Sequence, residues 1–392
     1  MRRPAALRKA ILAATVTLVA IASPVGASPN LGKWAPVPAS LPPGSWANAN
    51  FVHIACTSAT NCFASGEVAN AIDAARGVWT SGVIERWNGS RFSVVPVALA
   101  HTGLGAITCV SAKSCWVVGT KYGKVGTATA TVILHWNGSA WSTVKSPSPV
   151  NGSSFGGIAC ASSTKCFAVG ASYSGSSSRP MLEQWNGSSW TLGTLPSPAK
   201  QLSAMLWQIS CPSPSICVAI GSEQSSASTA AHGFSEVWKG NVWSIDPMPA
   251  PSSLPATSLN QIDCLSNTDC LSVGSTSTFS NGVYGPSHAY AAQWDGHLWR
   301  MISLSSSVQR GVSIFGDMAC ASPITCWAVG ESPSGHPAAA ELNGSSFILG
   351  TVGGTGTVLD ADGCWAGVYC IGIGMGQANG SAATAIADRI PF

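Results

Sequence analysis

The sequence predicts an all-β fold, a seven-bladed β-propeller with four antiparallel strands per blade, and three regularities predict it. Fourteen cysteines fall into seven pairs of one spacing, C-x5-C: Cys56/Cys62, Cys109/Cys115, Cys160/Cys166, Cys211/Cys217, Cys264/Cys270, Cys320/Cys326 and Cys364/Cys370. Their first members advance by 53, 51, 51, 53, 56 and 44 residues. Glycine always stands four residues after the second cysteine, as Gly66, Gly119, Gly170, Gly221, Gly274, Gly330 and Gly374. Between pairs comes a Trp-Asn-Gly triplet or a variant, then another aromatic residue. One supersecondary unit has been repeated along the chain.

Each repeat opens with a strand that ends at the first cysteine. Five residues before that cysteine stands Phe51, Leu104, Phe155, Leu206, Leu259, Phe315 or Leu359. Two before it stands Ile54, Ile107, Ile158, Ile209, Ile262 or Met318, with Asp362 breaking the rule in the last repeat. Five turn residues, such as Ala161 to Lys165, lead to a second strand beginning at the next cysteine. Opposed residues of such a hairpin have Cβ atoms about 4.5–5.5 Å apart, within reach of a disulfide. A bridge across so short a loop is a local staple, worth about 2 kcal/mol on the chain-entropy model.

The third strand ends at the triplet and the fourth opens on the next aromatic residue. The instances are Trp87-Asn88-Gly89 to Phe92, Trp136-Asn137-Gly138 to Trp141, Trp185-Asn186-Gly187 to Trp190, Trp238-Lys239-Gly240 to Trp243, Trp294-Asp295-Gly296 to Trp299 and Leu342-Asn343-Gly344 to Phe347. Asn-Gly and Asp-Gly predict hairpin turns with both central residues at positive φ. Four strands at this period are the mark of propeller blades. Blade cores begin near residues 51, 104, 155, 206, 259, 315 and 359.

The chain stops after Ala383 to Phe392, where other repeats place their third strand. Asn30-Leu31-Gly32-Lys33-Trp34, followed by Pro36 and Pro38, reads as a fourth strand with Trp34 at the aromatic position. Residues 30–38 are therefore expected to complete the last blade, tie the chain ends together and remove a sheet edge. The propeller domain spans 28–392.

Arg2, Arg3, Arg8 and Lys9 precede an apolar run from Ala10 to Ala22 and then small residues Val25 and Ala27. That is the pattern of a secretory signal peptide over 1–27, for Sec export; its 13 apolar residues are short of the roughly 20 that a spanning helix needs. Export to an oxidising space favours cysteine pairing. Without the signal, 15 basic residues face 16 acidic ones, and Lys and Arg form no cluster. Neither nucleic acid nor membrane insertion of the mature chain is expected. Charged residues are 9% of the chain, against about 25% in a typical soluble domain, so Ser, Thr, Asn and Gly must solvate it. A secreted, extracellular monomer is expected.

Ile158-Ala159-Cys160, Lys165-Cys166-Phe167-Ala168-Val169-Gly170 and Trp185-Asn186-Gly187-Ser188-Ser189-Trp190 resemble a repeat common in secreted proteins of actinobacteria and other soil bacteria. The resemblance covers about residues 30 to 392 and implies a propeller, without assigning an activity. At fold level the chain is also similar to kelch and sialidase-type propellers. Gly187 and Trp190 keep the glycine-to-tryptophan spacing of the sialidase Asp-box, but Trp185 stands at the aspartate position, so no catalytic residue carries over.

In an up-down blade, the 1–2 and 3–4 turns share one face of the disc, and the 2–3 loops and blade crossings share the other. The second face varies and is expected to carry any site. Trp79, Tyr122, Tyr173 and Tyr284 fall in 2–3 segments, and Trp207 falls just before a first strand. Such rings with a polar handle suit sugars or protein partners. Trp46 and Trp365 lie elsewhere. The residue three before each first cysteine should approach the central channel: His53, Ala106, Gly157, Gln208, Gln261, Asp317 and Ala361, with Asn260 and Asp360 adjacent. These polar groups would coordinate a ligand or hold channel waters.

Histidines at 53, 101, 135, 232, 288, 297 and 336 show no ligand spacing, and no cofactor or metal is expected. Asn88, Asn137, Asn186, Asn343 and Asn379 begin Asn-Gly-Ser sequons that read as turn chemistry. Asp317, Asp360 and Asp362 could form a carboxylate pair for glycosidic-bond chemistry. Arg76, Arg179 and Arg310 are the variable-face arginines. Glu85, Glu183 and Glu236, each two residues before a repeat Trp, read as blade-surface residues. The sequence thus points to an exported, non-catalytic propeller that binds a glycan or an envelope or extracellular protein. A glycoside hydrolase or polysaccharide lyase, or a structural surface protein, are the alternatives.

Overall fold

A computed structural model describes residues 48–69, 81–97, 99–123, 127–148, 152–196, 198, 202–226, 228–322, 325–350, 361–365, 369–378 and 381–391; of residues 48–50, 69, 321 and those beyond 360, the backbone alone is described. The signal peptide, the strand expected over 30–38, Trp79, Asp360 and Arg76 lie outside these residues. So do the side chains of Asp362, Cys364 and Cys370.

The chain is an all-β propeller of antiparallel sheets. The first contains β1 (Asn48–Ser58), β2 (Asn61–Ala69), β3 (Ser81–Trp87) and β4 (Phe92–Val95). The second contains β5 (Thr102–Ser111), β6 (Ser114–Tyr122), β7 (Ala128–Trp136) and β8 (Trp141–Val144). Next come β9 (Ser153–Ser162), β10 (Lys165–Ser174), β11 (Ser177–Trp185) and β12 (Trp190–Leu192), then β13 (Ser203–Ser213), β14 (Ile216–Gln224), β15 (His232–Lys239) and β16 (Trp243–Pro247). One parallel bridge, Ser178 to Ser203, joins these two groups into an eight-stranded sheet.

A four-stranded sheet of β17 (Ala256–Ser266), β18 (Asp269–Ser277), β21 (His288–Trp294) and β22 (Trp299–Met301) follows, with a small hairpin, β19 (Phe279–Ser280) and β20 (Val283–Tyr284), in its 2–3 connection. Beyond β23 (Ser303–Leu304) and α1 (Ser306–Gly311) come β24 (Ile314–Ser322), β25 (Thr325–Glu331), β26 (Pro337–Asn343) and β27 (Ser346–Leu349). The last described sheet holds β28 (Ala361–Trp365), β29 (Tyr369–Ala378) and β30 (Ser381–Pro391). First strands pack in succession, β1 on β5, β5 on β9, β9 on β13, β13 on β17, β17 on β24, β24 on β28, and β28 returns to β1.

Six disulfides join Cys56–Cys62, Cys109–Cys115, Cys160–Cys166, Cys211–Cys217, Cys264–Cys270 and Cys320–Cys326, each within one blade. Cys364 faces Cys370 in the β28–β29 register. The hairpins are longer than expected: β1 and β2 continue past Cys56 and Cys62 to pair Ser58 with Asn61 through a bulge, leaving a two-residue turn instead of five. The end of strand 3 clamps that turn, because Trp87, Trp136, Trp185 and Trp238 donate Nε1–H to the carbonyls of Ala59, Ala112, Ser163 and Pro214 at 3.1–3.4 Å.

The Asn-Gly turns also differ from expectation. In the strand 3–4 turns positive φ falls on the glycines, such as Gly89 (97°), Gly138 (98°) and Gly187 (96°), whereas Asn281-Gly282 in the β19–β20 turn has both residues at positive φ, 53° and 81°. Trp87 pairs with Phe92 across a four-residue loop, and the Asn88 carboxamide oxygen accepts from the backbone N–H groups of Ser90 and Arg91, both at 3.0 Å. Asn137 and Asn186 do the same. The side chain supplies the acceptor that a tighter turn would take from backbone.

The core lies between successive sheets. In five repeats the residue after the second cysteine packs on the pair of large apolar residues that flanks the strand 3–4 turn of the following repeat. Phe63 meets Trp136 and Trp141 at 5.1 and 5.4 Å, Trp116 meets Trp185 and Trp190 at 4.9 and 5.5 Å, and Phe167 meets Trp238 and Trp243 at 5.6 and 5.5 Å. Val218 clusters with Trp294 and Trp299, and Leu271 with Leu342 and Phe347. Glu85, Glu183 and Glu236 prove fully buried, correcting their reading as surface residues. Side chains two apart on a strand share a face, so these glutamates follow the repeat tryptophans into the space between blades. Ser146 Oγ donates to Glu183 at 2.8 Å. Burial pushes the carboxyls up, Glu183 to about 7 and Glu236 to about 8.

No helix among the described residues is long and apolar enough to cross a membrane. Six bridges and no free cysteine among the described residues suit an oxidising compartment.

Candidate functional site

Six of the first strands carry a bulge, and these bulges build the site. The register slips at Val52 in β1, Gly156 in β9, Trp207 in β13, Asn260 in β17 and Gly316 in β24, and over Gly105 and Ala106 in β5. Opposite each slip stands the repeat glycine. A Cβ on Gly170, Gly221, Gly274 or Gly330 would collide with the backbone carbonyl oxygen of Ser154, Met205, Ser258 or Ile314. The bulge thus requires the glycine, and it re-aims the residues around it.

Following the bulge, His53, Gln208, Gln261 and Asp317 turn inward as expected and line a central cavity of about 290 Å³ together with Ala106. Gln261 Nε2 donates to Asp317 Oδ1, and Asp317 Oδ1 also accepts from the Met318 N–H at 2.7 Å. Gln208 Nε2 reaches His53 Nε2, and His53 Nδ1 stands 3.9 Å from Asp317 Oδ2. The amide contact makes Nε2 the acceptor, so a neutral imidazole carries its proton on Nδ1, toward the aspartate. Burial holds His53 down to about 4 and agrees with that state. Asp263, also lining the cavity, accepts from the Cys320 N–H at 3.1 Å, and burial raises it to about 6. Asp317 itself is 1% exposed. Its fixed partners suit a structural bridge among inner strands rather than a carboxylate reaching substrate.

The bulge residues face a different space, on the side of the 2–3 connections. Tyr122 ends β6, Tyr173 lies near the end of β10, and Trp207 is the bulged residue of β13 rather than a residue preceding that strand. These three rings, from three repeats, line one cleft of about 630 Å³ with Thr120, Ser154, Phe155 and Met205. Trp207 keeps 36% of its surface exposed and donates Nε1–H to Ser222 Oγ at 3.1 Å. Tyr173 hydroxyl and Ser154 Oγ are 2.7 Å apart. The β9 and β13 backbones approach closely here because Gly156 and Gly157 lack side chains: a Cβ would lie 2.9 Å from Trp207 Cα and 2.8 Å from Gln208 Cα.

A smaller hollow of about 300 Å³ shares Thr120, Tyr122, Phe155 and Trp207 with the cleft and continues inward to Glu67, His53, Gln208 and Asn260. Glu67 follows the repeat glycine Gly66 in β2. A Cβ on Gly103 would collide with Glu67 Oε2 and lie 3.2 Å from the Tyr122 hydroxyl, so glycine admits both groups. Burial pushes the Glu67 carboxyl up to about 8. Burial first, then Glu67 and Tyr173, raise Tyr122 to about 12. Among the described residues, no Lys or Arg lines either hollow.

Other expected residues lie apart. Tyr284 sits in the β19–β20 hairpin, 4.7 Å from the Phe279 ring, and its hydroxyl accepts from the Ala231 N–H at 3.2 Å. It packs on a neighbouring loop. Arg310 borders a separate cavity of about 640 Å³ beside α1. Glu67 was missed in the sequence, although it and Glu331 are the two charged residues that directly follow a repeat glycine. Among the described residues no group of three or more His, Cys, Asp or Glu could hold a metal ion.

No family model matches the chain, and no curated protein matches it. Solved structures do. A structure described as YCF48 bound to D1 peptide aligns over 90% of this chain and 98% of its own, at 12% identity and a TM-score of 0.55. YCF48 from Cyanidioschyzon merolae covers 89% and 99% at 12% identity and 0.53. An ulvan lyase bound to -[GlcA(1-4)Rha3S]- covers 89% and 98% at 8% identity and 0.55. At such identities these likenesses show the propeller fold alone.

Proposed function

We propose that the chain is an exported seven-bladed propeller, closed by residues 30–38, that binds a glycan without catalysis. The signal-like pattern of residues 1–27 and the resemblance to secreted soil-bacterial repeats support export. The convergence of Tyr122, Tyr173 and Trp207 on one concave cleft carries the binding reading. Rings with polar handles suit the alternating CH faces and hydroxyl edges of sugars. A protein partner would need about 800 Å² of matching surface on each side, whereas the features that depart from the repeat here are gathered inside a hollow. An immobilised-glycan screen of residues 28–392 should retain one glycan class, with retention lost in Trp207→Ala and Tyr173→Ala. A folded wild-type protein that retains none would overturn the reading.

One observation supports the hydrolase or lyase alternative: Glu67 is a carboxyl held protonated near neutral pH beside Tyr122, the environment of a general acid. Turnover of a retained polysaccharide, abolished in Glu67→Gln and unchanged in Asp317→Asn, would establish that alternative at the cleft instead of the channel mouth.

A further inference from the structure

We infer that Asn281 is a site of spontaneous covalent modification: it converts to isoaspartate with loss of ammonia, and the change loosens the hairpin that ties the β18–β21 connection to the β14–β15 connection. Seven Asn-Gly pairs occur in the chain, and five of them, at Asn88, Asn137, Asn186, Asn281 and Asn343, fall on described residues. Such a pair can react with itself, because glycine has no side chain to keep its nitrogen from the preceding carboxamide carbon. The glycine N–H gives its proton to hydroxide, the nitrogen bonds to Cγ, and Nδ2 takes a proton from water and leaves as ammonia, closing a cyclic imide. Water then adds to a ring carbonyl and breaks its bond to nitrogen. Opening at the backbone carbonyl routes the chain through the side chain, lengthened by a methylene, and leaves a free carboxylate.

The fold restrains four of these pairs and presents the fifth. At Asn88, Asn137 and Asn186 the carboxamide oxygen accepts from two backbone N–H groups and a serine hydroxyl, at 2.8–3.0 Å. Turning Cγ onto the glycine nitrogen breaks these bonds, which slows ring closure at least about tenfold. Asn343 is a rung of the β26–β27 ladder, opposite Ser346. Asn281 and Gly282 instead form the tip of the β19–β20 hairpin, between the paired Ser280 and Val283, and both are exposed. Among the described residues, a Cβ on Gly282 would meet nothing within 4 Å, so the attacking nitrogen stands in open space. The same hairpin carries Tyr284, whose ring lies 4.7 Å from Phe279 and whose hydroxyl accepts from the Ala231 N–H at 3.2 Å. A turn this tight depends on positive φ at both central residues, 53° and 81° here, and an inserted methylene removes that geometry. Tyr284 then loses the scaffold that aims its hydroxyl at Ala231.

The test is incubation of the purified protein in mildly alkaline buffer, followed by peptide mapping with mass spectrometry and enzymatic labelling of isoaspartate. Asn281 should convert first, at least about tenfold faster than Asn88, Asn137 or Asn186, and ahead of Asn343. In urea, with the disulfides reduced, all five sites should react at similar rates, which assigns the difference to the fold. Conversion of any of the other four before Asn281, or the same ranking in folded and unfolded protein, would overturn the assignment. Hydrogen exchange at the Ala231 amide should quicken in the converted protein. It should stay slow in Asn281→Gln incubated alongside, and in Asn281→Asp, which adds the charge without lengthening the backbone. Unchanged exchange at Ala231 after conversion, or equally fast exchange in freshly prepared Asn281→Asp, would overturn the loosening by the inserted methylene.

Discussion

Phe167 meets Trp243 edge-on, ring centroids 5.5 Å apart and planes at 87°, although the two belong to successive repeats. Trp238 closes the other side at 5.6 Å. The contact explains why an apolar residue follows every second cysteine and why aromatic residues flank the strand 3–4 turns, with Leu342 opposite Phe347 as the exception. From Phe63 to Leu271, five successive repeats each supply a plug to the next.

Phe167→Ala should leave a cavity between sheets and cost about 3–5 kcal/mol. Urea unfolding followed by tryptophan fluorescence measures it directly. Phe167→Leu should recover more than half of the loss, and equal losses for both variants would count against a plug of defined size.

Peptide mapping without reduction should find every bridge within one repeat, including Cys364 to Cys370. Replacing Cys160 and Cys166 together by serine should destabilise by about 2 kcal/mol while the other bridges persist. Scrambled partners in the double variant would mean that blade folding depends on this bridge, contrary to the strand register that opposes the two cysteines.

Stability should decline as pH rises above neutrality. Glu183 and Glu236 move from 4.5 in the open chain to about 7 and about 8 in the fold. Between those limits the folded state binds more protons, so their stabilisation is complete below about 4.5 and is lost as pH climbs through the folded values. His53 acts oppositely between about 4 and 6.5, where its burial favours folding as pH rises. Above 6.5 the carboxyls alone remain, and the urea midpoint should fall from there to pH 9. Glu236→Gln should flatten that slope, and an unchanged slope would remove Glu236 as its source.

Gly170→Ala should cost about 2 kcal/mol or more, because the added carbon meets the Ser154 carbonyl where the strand bulges. The neighbouring change Ala171→Gly, which meets no such wall, should cost less than half as much by the same measurement.

Trp207→Ala should change unfolding free energy by under about 1 kcal/mol, since the ring is partly exposed, while removing glycan retention. Loss of both properties together would make the ring a packing element of the bulge instead.

Much of this was legible in the chain. The Cys, Gly and Trp-Asn-Gly spacings announced the strands and bridges, and counting back from each cysteine placed His53, Gln208, Gln261 and Asp317 in the channel. Periodicity shows what recurs but not which residues of different repeats meet, so the Phe167–Trp243 contact was invisible. The burial of Glu236 was available from parity, two residues from Trp238, but its charge argued for the surface. Bulges defeat simple alternation, and for that reason Trp207 was placed before its strand and the hollow at Glu67 was missed.

The plug-and-slot pairing of Phe63, Trp116 and Phe167 has a consequence for any shortened chain. A fragment cut cleanly between repeats would carry an unfilled aromatic notch at one end and a protruding apolar ring at the other, each the complement of its opposite. Such fragments would join head to tail, and concentration would decide whether they close into circles or grow into filaments.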